Sequence, residues 1–342
     1  MKLNSLLYSA IKIARKALDW ANIDPAYVKA LIRKPPIIHG GPKTRHWPWP
    51  RRRHFDKREK KAVLRVLDRE IHRGGAVIYE SVNERAYCAA FAKFLGGGYA
   101  DAVNSGTNAL YIALRALDLD PGGEVVVSPI TDAGSVMAVA LMNCIPVPAD
   151  TEPGHLNTSA QEIEKVLSPR TVAIMVTHMA GCPLDMDPII DLASSKGIPV
   201  IEDCAQAHGA RYKDRMVGTF GIISAFSTMF GKHHCTGAQG GVVFTRDTLL
   251  FARARQLADR GKPFGSVGRH RNQVASFNFN QDEISMAIGI SQLNKLHDSV
   301  TRRRAFARMV AAEMKEVHGV ALIGDPPQGE NSYWLLMLRL DR

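Results

Sequence analysis

Lys232 sits in the run Ser224-Ala-Phe-Ser-Thr-Met-Phe-Gly-Lys-His-His-Cys-Thr-Gly-Ala-Gln-Gly-Gly241, 29 positions beyond Asp203 in Val200-Ile-Glu-Asp-Cys-Ala-Gln-Ala-His-Gly209. A lysine amine condenses with an aldehyde to a Schiff base. A carboxylate ending a nearby apolar run can keep a pyridine nitrogen protonated, so that the ring accepts electrons from a developing carbanion. An apolar run ending in Asp203, a second short strand ending near Ser227, and a turn carrying one lysine are together the layout that holds pyridoxal phosphate. Each piece alone is ordinary: most lysines are solvated, and many strands end in Asp. Small residues after Asp203, then Gln206, leave room for a flat ligand, and glycine on either side of Lys232 suits a tight turn facing a phosphate. Asn104-Ser105-Gly106-Thr107 precedes a predicted helix, whose free N–H groups and positive end suit an anion. Taken by itself it is an N-cap. His233, His234 and Cys235 suggest a metal, but no other ligand cluster accompanies them and adjacent residues rarely converge on one ion, so no metal is expected.

These residues need elements to position them. Short apolar strands are predicted at 100–103, 124–128, 145–149, 172–177, 198–202, 224–227 and 242–245, with helices at 107–117, 133–142, 160–167 and 188–195 between the earlier ones. Two helices, 57–72 and 83–95, precede the first strand. Continuous apolar strands alternating with helices imply an α/β fold, a mostly parallel sheet covered on both faces. In such sheets ligands bind beyond the carboxyl ends of the strands. Asn104 to Thr107, Asp203 and Ser227 all fall there. After the sheet comes a long helix over 281–296, then a basic helix with Arg302, Arg303 and Arg304, and a strand-like run over 333–340. At the start, residues 2–18 set Leu3, Leu7, Ile11 and Leu18 on one helical face against Lys2, Lys12 and Arg15. Docking of this helix on its own body or a partner subunit is preferred over an anionic membrane surface. Residues 40–50 read as an irregular arm.

The 342 residues exceed ordinary single-domain size, and the 46% hydrophobic and 23% charged composition is that of a soluble globular chain. The formal charge of +11 raises nucleic acid as a partner. Much of that excess lies in the first sixty residues, and no helix-turn-helix, zinc-finger or RNP signature accompanies it, so nucleic-acid binding is excluded. A phosphate-bearing cofactor is the simpler account of the charge. Five scattered cysteines, none spaced as C-x-x-C, point to reduced thiols in a cytoplasmic enzyme.

From residue 40 onward the chain resembles the DegT/DnrJ/EryC1/StrS family of pyridoxal-phosphate-dependent sugar aminotransferases. Four blocks in register carry the resemblance: Ser105-Gly106-Thr107-Asn108-Ala109-Leu110, His178 to Asp187, Val200 to Gly209, and Phe226-Ser227 through Lys232 to Gly240-Gly241. The resemblance implies a fold-type-I transferase and a homodimer with active sites between subunits. It makes Lys232 the Schiff-base lysine and proton shuttle, and pairs Asp203 with the pyridine nitrogen. It sets Gln206 near the ring hydroxyl, has Gly106, Thr107 and Ser227 hold the phosphate, and has Asn278 reach a neighbouring subunit's phosphate. Residues 1–38 are then an N-terminal extension, 39–262 a large cofactor-binding domain, and 263–342 a small α+β domain, incomplete against the family. The implied reaction moves an amino group from glutamate or glutamine to a nucleotide-linked keto-sugar or a cyclitol ketone. Two further departures stand out: Asp132 stands where many members carry a ring-stacking aromatic, which bears on substrate choice, and Asn280 where an arginine is usual. A dehydratase-type variant is the alternative within the family, although that branch replaces the lysine by histidine. A non-catalytic partner homologue is the alternative outside enzymology.

Overall fold

The computed structural model describes residues 40–41, 43, 46–48, 54–263, 272–315 and 317–340. The predicted N-terminal helix and its docking or membrane contact lie outside the described residues, as does most of the arm.

Seven strands form the central sheet: β1 (Tyr99–Val103), β2 (Glu124–Val127), β3 (Ile145–Pro148), β4 (Thr171–Thr177), β5 (Val200–Asp203), β8 (Ile223–Ser227) and β9 (Gly241–Thr245). The short β6 (Arg211–Tyr212) and β7 (Arg215–Met216) between them make a separate hairpin. The sheet order is β1-β9-β8-β5-β4-β2-β3. Only β9 runs antiparallel to its neighbours β8 and β1; the other pairings are parallel. Pro146 and Pro148 sit in β3 at one edge, where a missing N–H costs no ladder bond.

Successive strand residues point to opposite faces, and both faces are covered. Val125, Val127, Ala173 and Met175 pack in one cluster with Leu110, Ile112 and Leu114 of helix α3 (Gly106–Ala116) and Val139 of α4 (Ala133–Leu141). Their neighbours Val126, Ile174 and Val176 pack on the other face with Ile163 of α5 (Ala160–Glu164) and Ile189 of α6 (Met186–Lys196). That two-sided burial is why the strands read as continuous apolar runs. Tyr87 and Phe91 of α2 (Val82–Phe94), which follows α1 (Lys57–Arg73), close a third cluster over Phe226, Val242 and Phe244. Helix α7 (Thr248–Ala258) packs with the first cluster through Ala254 and Leu257.

Three expected elements differ; the strand-like run over 333–340 is a strand only at Leu338–Leu340. The long helix and the basic helix after it form one continuous α8 (Glu283–Met314), because an arginine run is no helix breaker. Helix α5 stops at Glu164, three residues early, and the chain turns on through i→i+3 bonds from Val166 and Leu167.

Chain contacts divide the described residues into two compact units, one within 55–303 and 325–335, the other including 304–315, 317–324 and 336–340. The first holds the whole central sheet and the β6–β7 hairpin, which β11 (Gly329–Glu330) extends. The second holds an antiparallel pair, β10 (Val320–Leu322) with β12 (Leu338–Leu340).

Candidate active site

The carboxyl ends of four parallel strands converge on one group of side chains. Asp203 is the last residue of β5 and Ser227 the last of β8; Thr177 ends β4, and the turn after β2 carries Thr131 and Asp132. Asp203 is fully buried, with Oδ1 accepting from the Ala205 N–H at 3.0 Å and Oδ2 from the Ser135 hydroxyl at 2.6 Å. Since Ser135 gives its proton to Asp203, it accepts from Thr131 (2.8 Å), and Thr131 in turn from Thr177 (3.0 Å). Burial pushes the Asp203 carboxyl above its usual range, opposed by the Ser135 hydroxyl, the Ala205 N–H and the charge of Lys232. Ser135, Thr131 and Thr177 were not legible as site residues; hydroxyls from two separate segments meet only in the fold.

Lys232 lies in the loop that joins β8 to β9. That loop is pinned by bonds from the Thr228 N–H to the Gly240 carbonyl (2.8 Å) and from Phe230 to Ala238 (3.0 Å). The lysine is only 6% exposed. Burial pulls its amine below the usual ammonium range, while Asp203 and then Asp132 pull it back. Its Nζ stands 4.1 Å from the ring centroid of Trp334. The indole N–H of Trp334 donates to the Gly231 carbonyl at 2.9 Å, so the ring is bonded to the residue next to the lysine.

Gly106 and Thr107 open α3, where Ser105 caps the helix by accepting from the Asn108 N–H at 3.1 Å. A Cβ on Gly106 would stand 2.6 Å from Cβ of Ser227, and one on Gly134 would stand 2.5 Å from Oγ1 of Thr107. Glycine at both positions therefore lets the helix N-terminus, the Ser227 hydroxyl and the start of α4 close up on one another. Gln206 is buried and its Oε1 accepts from the Ala180 N–H at 2.8 Å, which leaves the amide NH2 as the donating side.

The structure thus brings Gly106, Thr107, Asp203, Gln206, Ser227 and Lys232 to one end of the sheet. Asn278 is not among them. It is exposed, bridges to Asp259, and its Oδ1 accepts from the backbone N–H and the side-chain amide of Asn280 (3.1 and 2.8 Å). Asp132 is exposed and N-caps α4, accepting from the Gly134 N–H at 2.9 Å. The histidines beside Lys232 are turned inward: Nε2 of His233 donates to the Ser332 carbonyl (3.0 Å), and Nε2 of His234 pairs with the Tyr87 hydroxyl (2.6 Å). Among the described residues one group, His178, Glu202 and Cys204, could converge on an ion. Its atoms serve each other and the backbone. His178 accepts the Leu184 N–H at Nδ1 and donates from Nε2 to Glu202 at 3.0 Å. Glu202 also takes the N–H groups of Gly218, Phe220 and Gly221. Burial alone would push the Glu202 carboxyl up, yet these bonds hold it below its usual range.

A pyridoxal phosphate fits this set on three counts. The cradle that a Cβ at Gly106 would fill suits a phosphate, a buried carboxylate stands at a strand end for a protonated ring nitrogen, and a desolvated lysine lies in electrostatic reach of that carboxylate.

The family model described as the DegT/DnrJ/EryC1/StrS aminotransferase family matches residues 55–342. The chain is 33% identical over 310 residues to the L-glutamine:2-deoxy-scyllo-inosose aminotransferase of Micromonospora echinospora, covering 87% of this chain and 73% of that relative. It is 33% identical over 281 residues to the dTDP-3-amino-3,4,6-trideoxy-alpha-D-glucose transaminase of Streptomyces venezuelae, covering 82% and 72%. Among solved structures, that of S. venezuelae DesV in complex with a ketimine intermediate aligns with a TM-score of 0.77 at 33% identity, over 83% of this chain and 74% of that one. Over four curated relatives the chain spans 57% to 73% of their length.

Proposed function

The chain belongs to the DegT/DnrJ/EryC1/StrS aminotransferase family, and from that membership we propose that it moves an amino group from glutamate or glutamine to the ketone of a nucleotide-linked sugar or a cyclitol. The observation that carries the reading is a lysine and a carboxylate buried together at the carboxyl end of one sheet, each in electrostatic reach of the other. Pyridoxal phosphate, when bound, supplies the aldehyde and the electron-accepting ring. The protein does the rest. Lys232 would hold the cofactor covalently and, once displaced by the donor amine, would carry a proton between the substrate carbon and the cofactor. A buried lysine is suited to this, because burial lowers its pKa toward the range of a general base. Asp203, fixed by Ser135 and Ala205, holds the proton on the ring nitrogen. Gly106, Thr107 and Ser227 bind the phosphate through the α3 N-terminus and hydroxyls. The Gln206 NH2 orients the ring from the side opposite its bond to Ala180.

We assign exposed Asn278 to the phosphate of a second copy, which makes the working unit a homodimer. Family relatives named for a cyclitol and for a dTDP-linked sugar support the substrate class. His233, tied to the Ser332 carbonyl, argues against the dehydratase alternative. The five cysteines are free, and no helix of the described residues is long and apolar enough to cross a membrane, which supports a cytoplasmic setting. The test is the first half-reaction. Protein loaded with pyridoxal phosphate is mixed with glutamate or glutamine, and keto-acid release is followed with the visible absorbance. Stoichiometric release that disappears in Lys232→Ala is expected. Loaded protein that releases none with either donor would overturn the reading.

A further inference from the structure

Trp334 comes from a part of the sequence far from every cofactor motif, yet it supplies the ring that Lys232 faces. Its segment is held on several sides. The Ser332 and Leu335 N–H groups donate to the carbonyls of Gly181 (3.0 Å) and Ala180 (3.2 Å), the Tyr333 N–H to Oδ1 of Asn331 (2.6 Å), and Arg303 donates to the carbonyls of Tyr333 and Trp334 (2.9 and 3.2 Å). The receiving turn, Met179–Gly181, is shaped for it. Gly181 has φ +95°, and a Cβ there would stand 2.8 Å from the Tyr333 nitrogen. Ala180 of the same turn is the residue that bonds Gln206. The indole is therefore placed by backbone bonds and anchored at its own N–H, with its face 4.1 Å from Nζ.

We propose that Trp334 is a positioning residue for Lys232: its π face holds the amine in place and favours the ammonium form, setting the pH at which the lysine can accept a proton. The inference rests on Lys232 having the role proposed above. A cation over an indole face is attracted by the ring quadrupole, and most strongly where water is excluded. The charged and titratable groups facing the lysine are Asp203 from the end of β5, Asp132 from the start of α4 and His208 after β5. Both carboxylates favour the ammonium. His208 is buried and held well below its ordinary pKa, first by burial and then by His234, His233 and Lys232, so it adds no positive charge near neutral pH. Burial alone opposes the charge. Trp334 adds to the favouring side without an ionic partner that would lock the lysine away from substrate. It also supplies an aromatic face in a site whose usual stacking position is Asp132.

The test uses apoprotein and no transamination. Trinitrobenzenesulfonate labels only the neutral amine, so the pH midpoint of Lys232 labelling, read by peptide mass spectrometry, reports its pKa. In Trp334→Met, which keeps an apolar side chain without a π face, the midpoint falls by about half to one pH unit. In Trp334→Phe, which keeps a face but loses the bond to Gly231, it falls by less than half as much. An unmoved or raised midpoint in folded Trp334→Met overturns the proposal. Equal falls in both variants also overturn it, because the effect would then follow from the lost Gly231 bond. If Lys232 proves unnecessary for holding the cofactor, the functional reading fails while this midpoint can still be measured.

Discussion

At the scale of residues, the site is two opposite charges that burial disfavours and proximity favours. Burial pushes Asp203 up and Lys232 down, and each appears among the forces that restore the other. A buried charge survives only when its lone pairs are used. Asp203 meets that condition through Ser135 and Ala205, which leaves it able to serve one further partner. Asp203→Asn keeps the shape and removes the charge. Under the proposed function it lowers kcat by about 10²- to 10³-fold, the usual cost of losing one preorganised electrostatic partner. Borohydride capture of pyridoxal phosphate on Lys232 should persist, since the lysine's own bond does not need the carboxylate. Loss of capture together with activity would show that Asp203 instead holds the loop in place. Near-normal kcat would remove Asp203 from the chemistry.

At the scale of elements, the site exists because β8 and the N-terminus of α3 touch without a side chain between them. Gly106→Ala sets a methyl where Cβ of Ser227 stands 2.6 Å away, so the helix or the strand end must shift. The shift falls on the phosphate cradle rather than the ring pocket. Affinity for pyridoxal phosphate should drop about 10- to 100-fold, as expected when one to two charge-assisted hydrogen bonds are misplaced. Affinity for pyridoxal, which lacks the phosphate, should barely change. Equal losses for both ligands would mean that the whole pocket is disturbed. The sequence makes much of this element layout legible. Strands such as Val172–Thr177 are continuous apolar runs because helices cover both faces, and the lysine, carboxylate and cradle residues follow the strand ends. The β6–β7 hairpin stayed hidden because two-residue strands carry no periodicity; its turn shows only in the positive φ of Lys213 (52°). Trp334 and Ser135 stayed hidden for another reason. Nothing local marks them, and they reach the site through a clamped backbone and a three-hydroxyl chain that tertiary folding alone creates.

At the scale of the whole molecule, the buried titratable groups set how the fold meets acid. His208 lies between Phe226 (centroids 5.3 Å) and Phe91 (6.4 Å), near His233 and His234 (6.0 Å each), and neither of its ring nitrogens has a hydrogen-bond partner among the described residues. Burial holds it well below the ordinary histidine pKa of 6.5, and burial brings His234 down to about 3. A base whose folded pKa is depressed binds fewer protons folded than unfolded between those two values. Stability from it is therefore complete above about pH 6.5 and is lost as pH falls below that. The buried carboxyls of Glu84, Asp101 and Asp203, all pushed up by burial, act the other way, since the folded state binds their protons more tightly. The wild-type curve is thus a difference of opposing slopes, and a single substitution separates them. His208→Phe keeps a ring of similar shape among the aromatics and removes two buried polar atoms without partners. At pH 7.5 its urea midpoint should match or exceed that of the wild type. Between about pH 6 and pH 4.5 the wild type should lose stability relative to His208→Phe by up to about 1.4 kcal/mol per pH unit, one proton's worth. Parallel curves over that range would mean that His208 titrates alike in both states, and would place the acid sensitivity of the fold elsewhere.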